Sequence, residues 1–406
     1  MFKKKFSIIV FIIVLLLSGC GKNENSNNDE IKKEIPSGLW ALRYVGNEKG
    51  EYVEEFNMIE DFYGRPVNFM EMMTVDYGEI SYMELDEEGK GTYYGVGSRR
   101  GEFNVSFKED TFMLGEEEKT YTKDGDKLWF EDGEGYYSVY EKVSAELLEK
   151  IKKGAYDCVD FSSAEIGDLV ALGEYDTSPG NDRNEVLKWR VIDKDGDKLL
   201  LLCDKLIDSF SFNYNPDQTN LDSVTWENCS LRAFLNDPQG FLSMFTDDEV
   251  SMMQVTHLEN KAANEELLKY WGDFHDIDER KTYSDMAKQH ATDGPDTDDK
   301  VFLLSFTEVE KYFGEASEPS VDDEYPFSDM PRNSKWVATV TKAVEDNGQG
   351  YYDRETLGGA WLIRTLSTAH DNNGMMATYI SGDGQVFNYF TYVPLFIRPA
   401  VWIKTK

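Results

Sequence analysis

The chain has 406 residues and carries 77 acidic against 42 basic side chains, a net charge of −35 at pH 7. That balance excludes a nucleic-acid binder, which needs Lys and Arg set against phosphates, and it opposes adsorption to anionic lipid headgroups. The length accommodates two domains of ordinary size.

The first residues read MFKKKFSIIVFIIVLLLSGC. Lys3, Lys4 and Lys5 form a basic n-region, and Phe6 to Leu17 an apolar h-region. That run is shorter than the roughly 18 to 20 residues a membrane span needs. Leu17-Ser18-Gly19-Cys20 matches the bacterial lipobox. Residues 1–19 are therefore expected to be a lipoprotein signal peptide. Cys20 is expected to carry the lipid that holds the protein on the extracytoplasmic face of the cell membrane, since two acyl chains anchor stably where one is marginal. Residues 20–35 are Asn, Lys, Glu and Asp with almost nothing apolar, the composition of a disordered tether.

Residues 36–143 show short alternating runs: ISYMELD, GTYYGV, GEFNVSF, TFMLG, KTYTKDGDKLWF and GYYSVYEKV. Polar turns such as Asp86-Glu87-Glu88-Gly89 separate them. Such spacing predicts an all-β antiparallel barrel or sandwich. The opening Gly38-Leu39-Trp40, with several hairpins behind it, resembles the lipocalin-like domains of lipoproteins from low-GC Gram-positive bacteria. The resemblance implies a ligand cavity, while a small barrel is equally compatible with a filled interior. Residues 144–155 begin SAELLEKIKK and predict a short connecting helix started by Ser144.

Residues 156–406 predict an α+β domain. Strands are expected at Leu169–Leu172, Val186–Ile192 and Leu199–Cys203. The turn Asp193-Lys194-Asp195-Gly196-Asp197 has the aspartates of a calcium loop. However, Lys198 stands where that loop needs glycine and Asp204 where it needs glutamate, so an acidic hairpin turn is expected instead. Ser230 predicts a helix cap, and Thr246-Asp-Asp-Glu249 and Ser305-x-x-Glu308 predict capping boxes. A buried strand is expected at Val301–Leu304. Polar surface excursions are expected at 260–298 and 314–352. In the last stretch, Trp361–Ile363 and Leu395–Ile403 read as central strands of one closing sheet, with Gly382-Asp383-Gly384 as a tight turn between two alternating runs. Arg364 and Arg398 interrupt those apolar runs. With Arg232, they are expected to pair with buried carboxylates or carbonyls, because an unpaired buried charge is very costly.

The ordered segments KWRVID, TWENCSLRAFLN, DTDDKVFLLSFTEV, WLIRT and FIRPAVWI resemble the domain-of-unknown-function family six-two-seven-three, over most of residues 160 to 404. That family in turn resembles, in architecture, the C-type-lectin-like and formylglycine-generating-enzyme group. The usual tandem tryptophan is here Trp361-Leu362, the following Ser-Pro is Thr365-Leu366, and Phe396 replaces a common glycine. The resemblance implies no particular activity.

Candidate chemistry is sparse. His257, His275, His290 and His370 are scattered without an i,i+4 partner, and HExxH, GxSxG, P-loop and GxGxxG patterns are absent. No catalytic residue, metal ligand or cofactor is assigned. Cys158, Cys203 and Cys229 form no CxxC, and Cys203 with Cys229 lacks the motif of a copper-binding formylglycine oxidase. A Cys158–Cys229 disulfide remains open. Trp189, Trp226, Trp361 and Trp402 sit in apolar segments and are expected in the core. The expected role is a non-catalytic binding module for a glycan, peptide or envelope protein. The alternatives are an enzyme of unrecognised class or an assembly partner of other envelope proteins. Binding is expected on the two excursions, at Tyr270, Trp271, Trp336, Tyr351 and Tyr352, because loops on a rigid scaffold concentrate recognition.

Overall fold

Alternation along the first half of the chain becomes antiparallel sheet in the computed structural model. It describes residues 34–60, 65–76, 80–96, 100–133, 135–176, 184–214, 224–262, 267, 270, 293–318, 331–341, 344–345, 350, 352–353, 356–370 and 374–405. Cys20 and most of the expected tether lie outside these. Among the described residues no helix is long and apolar enough to cross a membrane. The chain divides into two compact units, Met1–Tyr156 and Asp157–Lys406.

In the first unit the strands are β1 (Gly38–Gly46), β2 (Met58–Glu60), β3 (Pro66–Asn68), β4 (Tyr82–Leu85), β5 (Lys90–Gly95), β6 (Gly101–Phe107), β7 (Thr111–Leu114), β8 (Glu117–Thr120), β9 (Thr122–Asp124), β10 (Lys127–Gly133) and β11 (Tyr136–Val143). Among the described residues, nine of them form one antiparallel sheet in the order β8-β7-β6-β5-β4-β1-β11-β10-β9. The two edge strands, β8 and β9, are consecutive in the chain and separated by Tyr121 alone. One residue cannot span an open sheet nine strands wide, at close to 5 Å per strand. The sheet therefore curls until its edges approach, giving a nearly closed barrel. At the opposite side β1 pairs with β11 starting from Leu39↔Val143.

Side chains from most of the sheet's strands form the core of this unit. Trp40, Met83, Val105, Leu128 and Tyr140 share one buried core. Around the seam, Phe112 packs 4.7 Å from Phe130 and 5.2 Å from Phe107, which meets Tyr121 edge-on at 5.0 Å. Asp132 lies beside this core at a bulge in β10, with 8% of its surface exposed. The Ser138 hydroxyl donates to its carboxylate, and burial pushes its pKa up to about 6. The Ala145–Lys152 helix starts as expected, with the Ser144 Oγ accepting from the Leu147 amide at 3.0 Å. It is more than a connector, however. Leu148 and Ile151, spaced to share one helix face, are buried in the barrel core.

The second unit has β12 (Leu169–Asp176), β13 (Asn184–Asp195), β14 (Lys198–Cys203), β15 (Ser209–Ser211), β16 (Thr256–Leu258), β17 (Thr297–Asp299), β18 (Val301–Phe302), β19 (Trp361–His370), β20 (Gly374–Ile380), β21 (Val386–Phe390), β22 (Pro394–Phe396) and β23 (Ala400–Lys404). β13 and β14 meet through the acidic turn, with Gly196 at φ +61°. The expected single closing sheet is in fact two sheets: β12-β13-β14-β23-β18 and β15-β22-β19-β20-β21. The run Leu395–Ile403 is divided between them, and Ile397-Arg398-Pro399 crosses over. Pro399 has no amide hydrogen to continue a ladder, and its carbonyl instead accepts from the Cys203 amide at 2.8 Å.

One core holds this unit together, including Trp189, Trp226, Trp336 and Trp361. Each indole N–H finds a partner: Leu172 carbonyl for Trp189, Asp299 for Trp226, Gly314 carbonyl for Trp336 and Trp336 carbonyl for Trp361. Trp402, grouped with the core tryptophans by sequence, is half-buried at its margin. Both capping boxes form, at Thr246 and Ser305. The third cap differs from expectation. Cys229 caps the Ser230–Leu235 helix, its Sγ accepting from the Arg232 amide at 3.4 Å, while the Ser230 Oγ accepts from the Tyr214 amide.

Candidate functional site

The β20–β21 hairpin builds one wall of a groove in the second unit. Tyr379 and Tyr389 lie on the same sheet face, because Ala377 pairs with Tyr389 and Tyr379 sits two residues further along. Tyr379 stacks on Phe387 at 5.8 Å, and Tyr389 keeps 44% of its surface exposed. The connecting turn is tightly made. The Gly384 amide donates to the Ser381 carbonyl, the Gln385 amide to the Ser381 Oγ, and the Ser381 hydroxyl to the Asp383 carboxylate. Gly384 has φ +87°, and a Cβ there would stand 2.3 Å from the Asn333 carbonyl oxygen.

The facing wall is the segment around Tyr352 to Ala360. Tyr352 bridges to Gly359 and its ring lies 6.4 Å from Phe396. Asp353 organises the turn that follows: its Oδ1 accepts from the Thr356 amide at 2.9 Å and its carbonyl from the Leu357 amide at 2.7 Å. Leu357 has φ +59°, among the described residues the sole non-glycine residue with a positive φ. The walls meet at Gly358 and Gly382. A Cβ on Gly358 would lie 2.3 Å from the Gly382 oxygen, so side chains at these positions would force the walls apart.

Between the walls is a cavity of about 830 Å³, with Val393 and Leu395 among its lining and Arg332 and Val337 contributing as well. That volume lies within the roughly 300–1,000 Å³ of ligand pockets. Among the described residues three tyrosines, four aliphatic residues and the acidic Asp353 and Asp383 line it. The Arg332 guanidinium is paired with Glu318 at 3.5 Å. The combination offers apolar area, flat aromatic faces and fixed negative charge.

Of the residues expected to bind, Tyr352 reaches the groove. Tyr270 and Trp336 do not: they are 5% and 0% exposed and meet Phe306 edge-on at 5.7 and 5.9 Å. Both rings are packed into the core of the second unit, although charged residues surround them in the sequence. Trp271 and Tyr351 lie outside the described residues. Tyr379, Tyr389, Asp353 and Asp383 were not anticipated. The signal for the first two was present in ATYISGDGQVFNYF, where aromatics alternate on either side of a glycine turn.

A second polar constellation is structural. Arg364, 6% exposed, pairs with Glu308 and donates to the Leu303 carbonyl at 2.9 Å and Asn260 Oδ1 at 3.2 Å. Asn260 continues to Thr297, Thr297 to Asp299, and Asp299 to the Trp226 indole and to Arg232 Nε at 2.7 Å. Arg398 donates to the Cys203 carbonyl at 3.0 Å and lies over the Trp361 ring at 5.3 Å. Burial lowers its pKa to about 10, which leaves it charged at neutral pH. All three arginines thus pair as expected, with carboxylates or carbonyls.

His257 is exposed beside Asp298 at 2.9 Å, and that hydrogen bond raises its pKa. Among the described residues, Cys158, Cys203 and Cys229 are free thiols, each pushed by burial up to about 12. No cluster of three His, Cys, Asp or Glu suited to a metal ion occurs among the described residues.

No curated protein and no solved structure matches the chain. Residues 196–405 match the family described as Domain of unknown function (DUF6273), a stretch that contains every described residue lining the groove but begins after the KWRVID segment. As that match spans just over half of the 406 residues, the chain belongs to the DUF6273 family.

Proposed function

We propose that this chain is a lipid-anchored binding module on the extracytoplasmic face of the membrane, and that the groove of its second unit takes a glycan, peptide or protein ligand. The observation that carries the reading is the convergence of Tyr352, Tyr379 and Tyr389 on one cavity together with fixed carboxylates. Aromatic rings presented on firmly held elements are characteristic of recognition surfaces. Leu357 supports the same reading, since backbone strain concentrates at functional sites. The lipobox at Leu17–Cys20 supports the anchor and the location. The single-residue seam at Tyr121 supports a lipocalin-like first domain, and a groove wall carried on the long connection between β18 and β19 supports a C-type-lectin-like second one.

Glycan and peptide arrays probed with the wild-type chain and with Tyr389→Ala test the proposal. Tyr389 is exposed, so its truncation should leave the melting temperature within about 2 °C. Retention on the best array spots should fall at least tenfold, an expected loss of about 1.4 kcal/mol. Unchanged retention by Tyr389→Ala, on spots that the wild type binds, refutes the groove as the site.

A further inference from the structure

We infer that the groove selects a peptide segment in which a lysine or arginine stands beside an apolar residue. This rests on the groove being the binding site. The charge follows from the lining. Asp353 and Asp383 each place a carboxylate at the groove, held by the Thr356 amide and the Ser381 hydroxyl, while Arg332, the one cation among the described lining residues, is engaged by Glu318. Three tyrosine faces add the negative potential of their π-systems, which attracts cations. The chain already uses this contact internally: Lys152 lies 4.4 Å over the Tyr82 ring and Lys311 4.4 Å over Tyr312. The net charge of −35 steers a cationic ligand inward from a distance.

The apolar half follows from Val337, Ala360, Val393 and Leu395. An aliphatic surface gains by covering another apolar group and gains little from a hydroxyl-rich sugar. The walls are themselves extended chain, β21 on one side and the Tyr352↔Gly359 bridge on the other, a frame suited to an extended peptide. Two groups set side by side, cation and apolar side chain, fit a peptide better than a free amine.

The test uses the full chain, immobilised, and acetylated and amidated pentapeptide pools with the central residue fixed as lysine, arginine, acetyl-lysine, leucine or glutamate. The lysine and arginine pools should be retained at least tenfold over acetyl-lysine and glutamate. The advantage should collapse in the Asp353→Asn/Asp383→Asn double variant and weaken as salt rises. It should also fall at least fivefold in Tyr379→Ala/Tyr389→Ala, which leaves every charge in place. Retention by this tyrosine variant equal to wild type would mean that general acidity, not the groove, holds the peptides, and overturns the inference. Equal retention of lysine and acetyl-lysine pools, lost in the tyrosine variant, overturns the charge selection while leaving the groove as the site. Retention of oligosaccharides but of no peptide pool, again lost in the tyrosine variant, overturns the peptide assignment alone.

Discussion

Glu308 carries two duties with one carboxylate. It accepts from the Ser305 amide at 2.7 Å and neutralises Arg364. Glu308→Gln keeps an acceptor for the cap but strips the buried guanidinium of its counter-charge. Removing one partner of a buried pair costs about 3 to 5 kcal/mol, and since Glu308 is a quarter exposed we expect about 2 to 3 kcal/mol in urea denaturation. Among the described residues Asp132 is a buried carboxyl without a cationic partner in hydrogen-bond reach, and burial raises its pKa. Its pKa is about 6 in the folded barrel against 3.8 for the ordinary group. Between those values the unfolded chain has lost a proton that the folded chain keeps, so stability falls as pH rises from about 4 to 6 and stays lower above. The deficit at pH 7 is about 2 to 3 kcal/mol. Asp132→Asn should recover it and flatten the barrel's stability across that interval, as measured by calorimetry at a series of pH values. A variant less stable than wild type at pH 7 would contradict the assignment. The arginine pairings were legible because any cation inside WLIRT or FIRPA must find a partner. Asp132 was not, because alternation in KLWFEDG sets it on the face of Leu128 and Phe130 without saying that water is excluded there.

At the level of helices and strands, local grammar was readable where a few neighbouring residues decide the outcome. The two capping boxes, the Gly196 turn and the β20–β21 hairpin all follow from spacing within five residues. Ser305→Ala should cost about 1 kcal/mol by thermal or urea unfolding, and Ser305→Asp should restore most of it, since either side chain accepts from the exposed helix amides. The cap at Cys229 escaped reading because a thiol is a weak acceptor outside the usual capping set. The division of Leu395–Ile403 between two sheets escaped it because hydrophobicity marks a strand without naming its partner. Pro399 was the clue. The groove was least legible of all. Its walls come from stretches near 332, 352–360, 379–389 and 393–395, and only their packing shows that Tyr352 faces the hairpin.

For the molecule as a whole, the strongest sequence motif and the best-formed site concern different ends of the chain. Cys20→Ala should abolish partitioning into a detergent phase and leave an uncleaved or released protein, while binding by the groove is unaffected. Equal partitioning of wild type and variant would remove the anchor from the proposal. The barrel adds a consequence of another kind. Its first and last strands are partners, with Leu39 opposite Val143, and its sheet edges are joined by Tyr121 alone. Such a unit can be renumbered without being rebuilt. The Ala145–Lys152 helix spans only about 12 Å, so a flexible linker of about fifteen residues can return the chain from Gly154 to Pro36. New ends opened after Tyr121 would then leave every ladder intact, and this permuted barrel should melt cooperatively like its parent. The same adjacency of ends makes the barrel a portable cassette, which could enter a surface loop of an unrelated host without prying that loop open.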